Sequence, residues 1–126
     1  MKPYKSLNHL SRVSLQIAED HGFVDTTVGE DIALIHSEVS EAFEDFRSGH
    51  EPDELWFLDK LTGDVFDEQN ADPDDLFKPC GIPSEMADVL IRVLHFCGKH
   101  KINIGKAVRE KMEYNKTRPF KHGKKL

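Results

Sequence analysis

The segment from Met86 to Cys97 is the feature of this sequence that most restricts its fold. Its apolar residues include those at positions 86, 89, 90, 93, 94, 96 and 97. At about 100° of rotation per residue, these positions cover well over half of a helix circumference. A helix with so wide an apolar face must pack on more than one side. We therefore predict a helix that opens at Pro83 and Ser84, ends near Gly98 and contacts at least two neighbours.

Three other segments also have helical period, and we predict helices over residues 7–21, 27–47 and 104–116. Thr27 and Glu30 have the spacing of a capping box, and Asn103 is a suitable N-cap for the last helix. A chain of 126 residues has room for one domain. These observations predict an all-α fold, a four-helix bundle subunit that occupies residues 1–126.

Residues 49–82 show no helical period, and we predict a long inserted loop between the second and third helices. Residues 51–75 carry ten acids against the single base Lys60. Two short apolar runs, 55–58 and 65–66, predict a small hairpin within this loop. Loops of this length are uncommon in small domains and are often functional. Residues 119–126 are predicted to form a basic tail.

Composition excludes several classes of protein. The net charge of −6 is unsuited to binding a nucleic acid polymer, which needs a broad basic surface. No run approaches the roughly 18 apolar residues of a membrane span, and no apolar run follows the first residues as in a secretory signal. Cys80 and Cys97 fit no zinc-ligand spacing. We expect a cytoplasmic protein with reduced thiols and no membrane partner.

Two pairs of acids indicate where chemistry would occur. Glu38 and Glu41 are three residues apart in the second predicted helix, and Glu85 and Asp88 are three apart at the start of the third. Residues i and i+3 lie on the same side of a helix, so each pair can aim at one point. On antiparallel helices, all four carboxylates would converge and repel one another. Oxygen-ligated divalent cations such as Mg²⁺ or Mn²⁺ relieve that repulsion.

One alternative interpretation of these acids remains open, and a second one is excluded. The acids can be ordinary solvent-facing residues, with Asp88 and Arg92 as an ion pair one helical turn apart. A ferritin-like di-iron site is excluded because it requires Glu-x-x-His in two helices, and no glutamate here has a histidine three residues later.

The pattern resembles the signature of the MazG-type, all-α nucleoside triphosphate pyrophosphohydrolases. The segments that carry the resemblance are Glu38-x-x-Glu41, Gly81–Val93 with its Glu85-x-x-Asp88, and Glu110–Pro119 followed by Lys121-His122-Gly123. Together they extend over the second to fourth predicted helices. Two departures are Ser37, where the family often has a further glutamate, and the greater length of the loop.

The resemblance implies an enzyme that hydrolyses a (deoxy)nucleoside triphosphate between the α and β phosphates, giving the monophosphate and pyrophosphate. It implies Mg²⁺, with Mn²⁺ as a substitute, and a homodimer or dimer of dimers with the site near the interface. On this basis the expected metal ligands are Glu38, Glu41, Glu85 and Asp88. Glu38 or Glu41 would hold or deprotonate the attacking water.

The last predicted helix supplies candidate phosphate ligands. Lys111, Asn115 and Arg118 have the family's spacing, and they continue the apolar stripe of that helix instead of leaving it. Two rival interpretations remain. One is an enzyme like phosphoribosyl-ATP pyrophosphohydrolase, and the other is a non-catalytic helical dimerisation module whose acids are merely solvated.

Overall fold

The computed structural model describes residues 6–23, 25–67 and 77–125. Four helices dominate these residues, in agreement with the prediction of a mainly helical chain. Their bounds are α1 (Leu7–Asp20), α2 (Val28–Arg47), α3 (Ile82–Lys99) and α4 (Ile104–Thr117), and a short 3₁₀ helix follows at Phe120–Gly123.

Local capping explains where the helices begin. The Thr27 side chain accepts a hydrogen bond from the Glu30 amide, and the Glu30 side chain accepts one from the Thr27 amide, so the predicted capping box is formed. Asn103 accepts a hydrogen bond from the Lys106 amide at the start of α4. These contacts satisfy amide groups that have no partner within the first helical turn.

A small antiparallel sheet lies between α2 and α3 in the sequence, so the fold is not purely α-helical. Its strands are β1 (Trp56–Asp59), β2 (Val65–Phe66) and β3 (Phe77–Cys80), in the order β2-β1-β3. The β1–β2 hairpin was predicted, whereas β3 falls where a loop was predicted. Pro79 argues locally against a strand, but it is tolerated because β3 is an edge strand. The remaining part of the predicted loop, residues 68–76, lies outside the described residues.

Helix α3 is the centre of the helical part and packs against both α1 and α2, which confirms the expectation of two-sided packing. Its Leu94 and Cys97 are buried. The Ser11 hydroxyl of α1 donates a hydrogen bond to the Leu94 carbonyl oxygen at 2.7 Å. At Gly98, a Cβ would lie 2.9 Å from the Ser11 carbonyl oxygen, so glycine permits this close approach of α1 and α3.

Helix α2 turns a largely polar side toward the interior. Its buried residues are Asp31, Glu38 and Ala42. Its strongest apolar stripe is instead exposed, with 45–61% of the surface of each residue accessible. The members of this stripe are Ile32, Val39, Phe43 and Phe46. We call these four residues the α2 apolar stripe.

Helix α4 packs against α1 and has no buried residue. Within the parts of the chain that the structure describes, no helix combines the length and apolar character needed to cross a membrane.

Candidate metal centre and adjoining cavity

Two ion pairs fix the relative direction of α2 and α3. Near the start of α2, Asp31 accepts a hydrogen bond from Lys99 at the end of α3, at 3.0 Å. Further along α2, Glu38 accepts one from Arg92 Nε at 2.7 Å. The helices are therefore antiparallel, and the next turn of α2 meets the first turn of α3, where Glu85 begins the second acidic pair.

Three of the predicted ligands converge at this point. One carboxylate oxygen each from Glu38, Glu41 and Glu85 lies within 4.8 Å of the other two. Glu38 is buried, with 8% of its surface exposed, whereas Glu41 is exposed. The cluster is thus anchored at one side and open to solvent at the other.

The junction between β3 and α3 positions Glu85. Gly81 precedes the helix with φ of 110°, and a Cβ there would overlap the Glu54 carbonyl oxygen. The Ser84 hydroxyl donates a hydrogen bond to the Pro79 carbonyl oxygen at 3.1 Å. These contacts join the first turn of α3 to the small sheet, so the sheet helps to hold Glu85 opposite Glu41.

The carboxylates of this cluster have too few hydrogen-bond donors and positive charges around them to balance their negative charge. Burial, followed by a hydrogen bond with Glu41 and the nearby charges of Glu41, Asp88 and Asp45, raises the pKa of Glu85 to about 7. The Glu85 Oε2 and Asp45 Oδ2 atoms are buried and have no hydrogen-bond partner among the described residues. An all-oxygen donor set with buried, unpartnered oxygens fits a hard divalent cation.

Asp45 is a member of this acidic group that the sequence interpretation missed. It follows Glu41 by four residues, so it lies one turn further along nearly the same side of α2. That spacing was the available signal, but it is common on solvent-facing helices. Only the position of Glu85 opposite α2 gives it significance.

Asp88, the fourth predicted ligand, lies beside the cluster and is not one of the three convergent residues. Burial and the negative charge of Glu38 raise its pKa, while Arg92 and Lys78 act in the opposite direction. Arg92 forms its ion pair with Glu38, on the neighbouring helix. The local pair between Asp88 and Arg92 is therefore not the principal contact of this arginine.

A cavity of about 450 Å³ continues from the cluster along α1, α2 and α3. Glu38, Asp88 and Arg92 line its end nearest the cluster. Asp31 and His95 line it further along α2 and α3, and the His95 Nε2 atom is buried with no hydrogen-bond partner among the described residues. The sequence interpretation did not identify this cavity, because His95 and Asp31 follow no recognised ligand spacing.

The predicted phosphate ligands on α4 are not brought to the carboxylates within one chain. Lys111 and Asn115 are exposed. Lys111 and Arg118 both lie over the Tyr114 ring, at 5.1 and 5.6 Å from its centroid. Among the residues described, no hydrogen bond or ion pair joins these three side chains to the acidic cluster. Their role in binding phosphate stays a prediction.

Comparison of the chain with protein families, with curated proteins and with solved structures found no match. The functional interpretation therefore depends on the site residues and on the sequence resemblance given above.

Proposed function

We propose that this chain is a Mg²⁺-dependent nucleoside triphosphate pyrophosphohydrolase, which cleaves a (deoxy)nucleoside triphosphate between its α and β phosphates. The observation that carries the proposal is the convergence of Glu38, Glu41 and Glu85 within 4.8 Å. Such a group of carboxylates, with buried oxygens left unpaired, is suited to a divalent cation and the phosphates bound with it.

Glu38, Glu41 and Glu85 would hold the cation, with Asp88 beside them. When bound, Mg²⁺ would supply positive charge to the phosphate oxygens and favour ionisation of the attacking water. Glu41 is the exposed member of the group, so its carboxylate can accept the proton of a water that attacks the α phosphorus. The new bond joins the water oxygen to that phosphorus, and pyrophosphate leaves as the α–β bridge breaks.

Arg92 is a further candidate phosphate ligand. Its Nε atom donates to Glu38, but its two terminal nitrogens make no hydrogen bond within the described parts of the chain. Arg92 lines the cavity at the end next to the carboxylates. A guanidinium held in place by one buried acid can still offer its terminal N–H groups to a phosphate oxygen.

The proposal includes a homodimer or a dimer of dimers. The α2 apolar stripe is too exposed for a helix whose other side packs on α3. Within one chain, Lys111 and Asn115 do not approach the carboxylate cluster. Burial of the α2 apolar stripe against a second copy would provide a route for these two residues to approach the cluster of that copy. The phosphate site would then be completed by the assembly.

The decisive experiment is pyrophosphate release from a panel of ribo- and deoxyribonucleoside triphosphates and phosphoribosyl-ATP. We expect release with Mg²⁺ or Mn²⁺ and none with a chelator. Turnover of phosphoribosyl-ATP alone would favour the related histidine-pathway enzyme. A dimerisation module with solvated acids predicts no turnover of any nucleotide and no stoichiometric metal binding by calorimetry, and that result would refute the proposal.

A further inference from the structure

We infer that Lys78, on the edge strand of the small sheet, is a ligand of the β and γ phosphates, which leave the metal centre together as pyrophosphate. The identity of the bound molecule as a triphosphate rests on the proposed function. The segment between α2 and α3, which the sequence presents as a long inserted loop, would then contribute a side chain to the site.

One face of the small sheet is turned toward the end of α2. Trp56 and Cys80 are directly opposite each other in the antiparallel pair of β1 and β3, so their side chains lie on the same face. Lys78 shares that face, because alternate residues of a strand point the same way. The Trp56 ring stacks on the ring of His50, just beyond the end of α2, with 4.2 Å between the centroids. Lys78 is therefore carried on the side of the sheet that faces α2.

The acids of the metal centre lie close to this face. The His50 amide donates a hydrogen bond to the Asp45 carbonyl oxygen at 3.2 Å, which places Asp45 at the end of α2 near the sheet. Burial raises the pKa of the Cys80 thiol, and the charge of Lys78 lowers it. Asp45 and Glu85 are also near enough to this thiol for their charges to raise its pKa. The face that carries Lys78 and Cys80 therefore borders the acidic cluster.

The junction of β3 with α3 holds Lys78 at this border. The Ser84 hydroxyl donates a hydrogen bond to the carbonyl oxygen of Pro79, the residue after Lys78, at 3.1 Å. The strand is thus tied to the first turn of α3, one turn before Asp88. Burial raises the pKa of Asp88, and Lys78 is close enough for its positive charge to act in the opposite direction.

The Lys78 ammonium group is available to a ligand. Its backbone carbonyl oxygen accepts a hydrogen bond from the Cys80 thiol, but its ammonium group makes no hydrogen bond or ion pair with any residue that the structure describes. The structural lysine at the other end of α3 differs. The Lys99 ammonium group donates to the Thr26 carbonyl oxygen, the Thr26 hydroxyl and Asp31, so its three protons are used. Lys78 keeps all three of its donors.

Lys78 lies outside the cavity that adjoins the metal centre. The cavity reaches the cluster at Glu38, Asp88 and Arg92, and Lys78 does not line it. The organic part of a nucleotide needs apolar wall, whereas the β and γ phosphates carry most of the negative charge and need cations. An ammonium group on a flexible stem is a common phosphate ligand. Lys78 is thus suited to the charged end of the triphosphate, at the part of the cluster that is open to solvent.

The test is calorimetry on wild type and Lys78→Met, first with Mn²⁺ alone and then with inorganic pyrophosphate at a fixed excess of Mg²⁺. Lys78 is exposed on an edge strand, so methionine should leave the fold intact. We expect pyrophosphate binding to weaken about tenfold or more, because a charge-assisted contact is lost. Mn²⁺ alone should bind as tightly or slightly more tightly, because a positive charge near the carboxylates has been removed.

Two further variants locate the effect. Lys78→Arg keeps the positive charge and should retain pyrophosphate binding within about threefold of wild type. Lys101→Met is the matched control, because Lys101 is also exposed but follows the opposite end of α3 from Glu85. It should change neither affinity.

Three results would overturn the inference. A wild type that does not bind pyrophosphate with Mg²⁺ is the first. Unchanged pyrophosphate binding in Lys78→Met is the second, and it would leave this lysine the ordinary role of discouraging pairing at the sheet edge. Equal weakening of Mn²⁺ and pyrophosphate binding in Lys78→Met is the third, because it would indicate a general distortion of the site.

These binding measurements do not depend on hydrolysis, so the outcomes separate the inference from the proposed function. Pyrophosphate binding that depends on Lys78, without hydrolysis of any triphosphate, would uphold the role of Lys78 and refute the enzymatic proposal. Hydrolysis by Lys78→Met with the KM of wild type and unchanged pyrophosphate binding would refute the role of Lys78 alone.

Discussion

Carboxylate oxygens of Glu85 and Glu41 lie within 4.8 Å of each other across the contact of α3 with α2. Two carboxyl groups at this distance repel each other unless one of them keeps its proton or a cation lies between them. Burial and the acids around it make Glu85 that group, since its pKa is raised from 4.5 to about 7. Without a cation, the candidate metal centre is therefore a source of instability at neutral pH.

The first prediction concerns the pH dependence of stability without metal. The raised pKa of Glu85 means that its stabilising contribution is complete below about pH 4.5 and is lost as pH rises through about 7. His95, with a lowered pKa, acts in the opposite direction near its ordinary value of 6.5. We therefore compare wild type with Glu85→Gln, which removes only the first effect.

We compare the free energy of unfolding of Glu85→Gln with that of wild type at each pH. We expect this difference to favour the variant more at pH 8 than at pH 5, by on the order of 2 kcal/mol. Urea denaturation in the presence of a chelator measures this difference. Glu44→Gln is the control, because Glu44 is an exposed glutamate on α2 that is not one of the three convergent residues. Identical pH profiles for wild type and Glu85→Gln would contradict the raised pKa.

The second prediction concerns metal-dependent turnover. Glu38→Gln and Asp88→Asn each remove a negative charge from the site, so each should abolish Mg²⁺-dependent pyrophosphate release. Each also relieves carboxylate repulsion, so the thermal stability of the metal-free variant should stay the same or rise. In Glu38→Gln, Arg92 has a neutral partner in place of a charged one, and this loss would offset part of the gain in thermal stability. Wild-type rates in either variant would end the hypothesis of a metal site.

The third prediction concerns the glycine that precedes α3. Gly81→Ala would force a Cβ against the Glu54 carbonyl oxygen at a φ of 110°, and we expect a loss of about 3 kcal/mol or more in the free energy of unfolding. Gly49→Ala is a matched control, because Gly49 also has a positive φ of 92° but a Cβ there would meet open space. Its cost should be only about 1 kcal/mol.

Denaturation curves for these two variants separate the clash from backbone strain. Equal losses for Gly81→Ala and Gly49→Ala would show that the contact with Glu54 is unimportant. We also expect Gly81→Ala to weaken Mn²⁺ binding, measured by calorimetry, because the backbone shift displaces the first turn of α3 and Glu85 with it.

The fourth prediction concerns assembly. Wild type should have at least twice the 14.4 kDa mass of one chain in light scattering at micromolar concentration. Phe43→Ser, in the α2 apolar stripe, should shift it toward the mass of one chain, because it removes apolar area from the proposed interface. Leu61→Ser is the control, because Leu61 is 77% exposed in the β1–β2 hairpin, away from that stripe. A fully active wild-type monomer would refute the prediction.

The fifth prediction concerns α4. Lys111→Ala and Asn115→Ala should lower kcat/KM with almost unchanged Mg²⁺ affinity, and the loss at Lys111 should correspond to about 2–5 kcal/mol of binding. Lys106→Ala is the control, because Lys106 is an exposed lysine on the same helix, 3.7 Å from Glu110. Kinetics within about twofold of wild type for both test variants would assign this part of α4 a structural role alone.

Local sequence patterns were sufficient for the helices and for most of the acidic cluster. The capping box at Thr27, the helical period and the flanking prolines and glycines are local signals, and the helices begin and end near the predicted residues. The i, i+3 spacing likewise placed Glu38 and Glu41 on one side of α2. Strand β3 was missed because its residues acquire a strand conformation through pairing with β1, which no local pattern records.

The sequence by itself determined the angular position of each side chain around its helix, because the helical period is a local property of the backbone. Only the tertiary structure decided which side of α2 meets α3. An apolar stripe indicates a buried face but does not identify what covers it, and here Asp31, Glu38 and Ala42 face the interior while the α2 apolar stripe is exposed. That rotation also brings Asp45 close enough to Glu85 for its charge to help raise the pKa of Glu85.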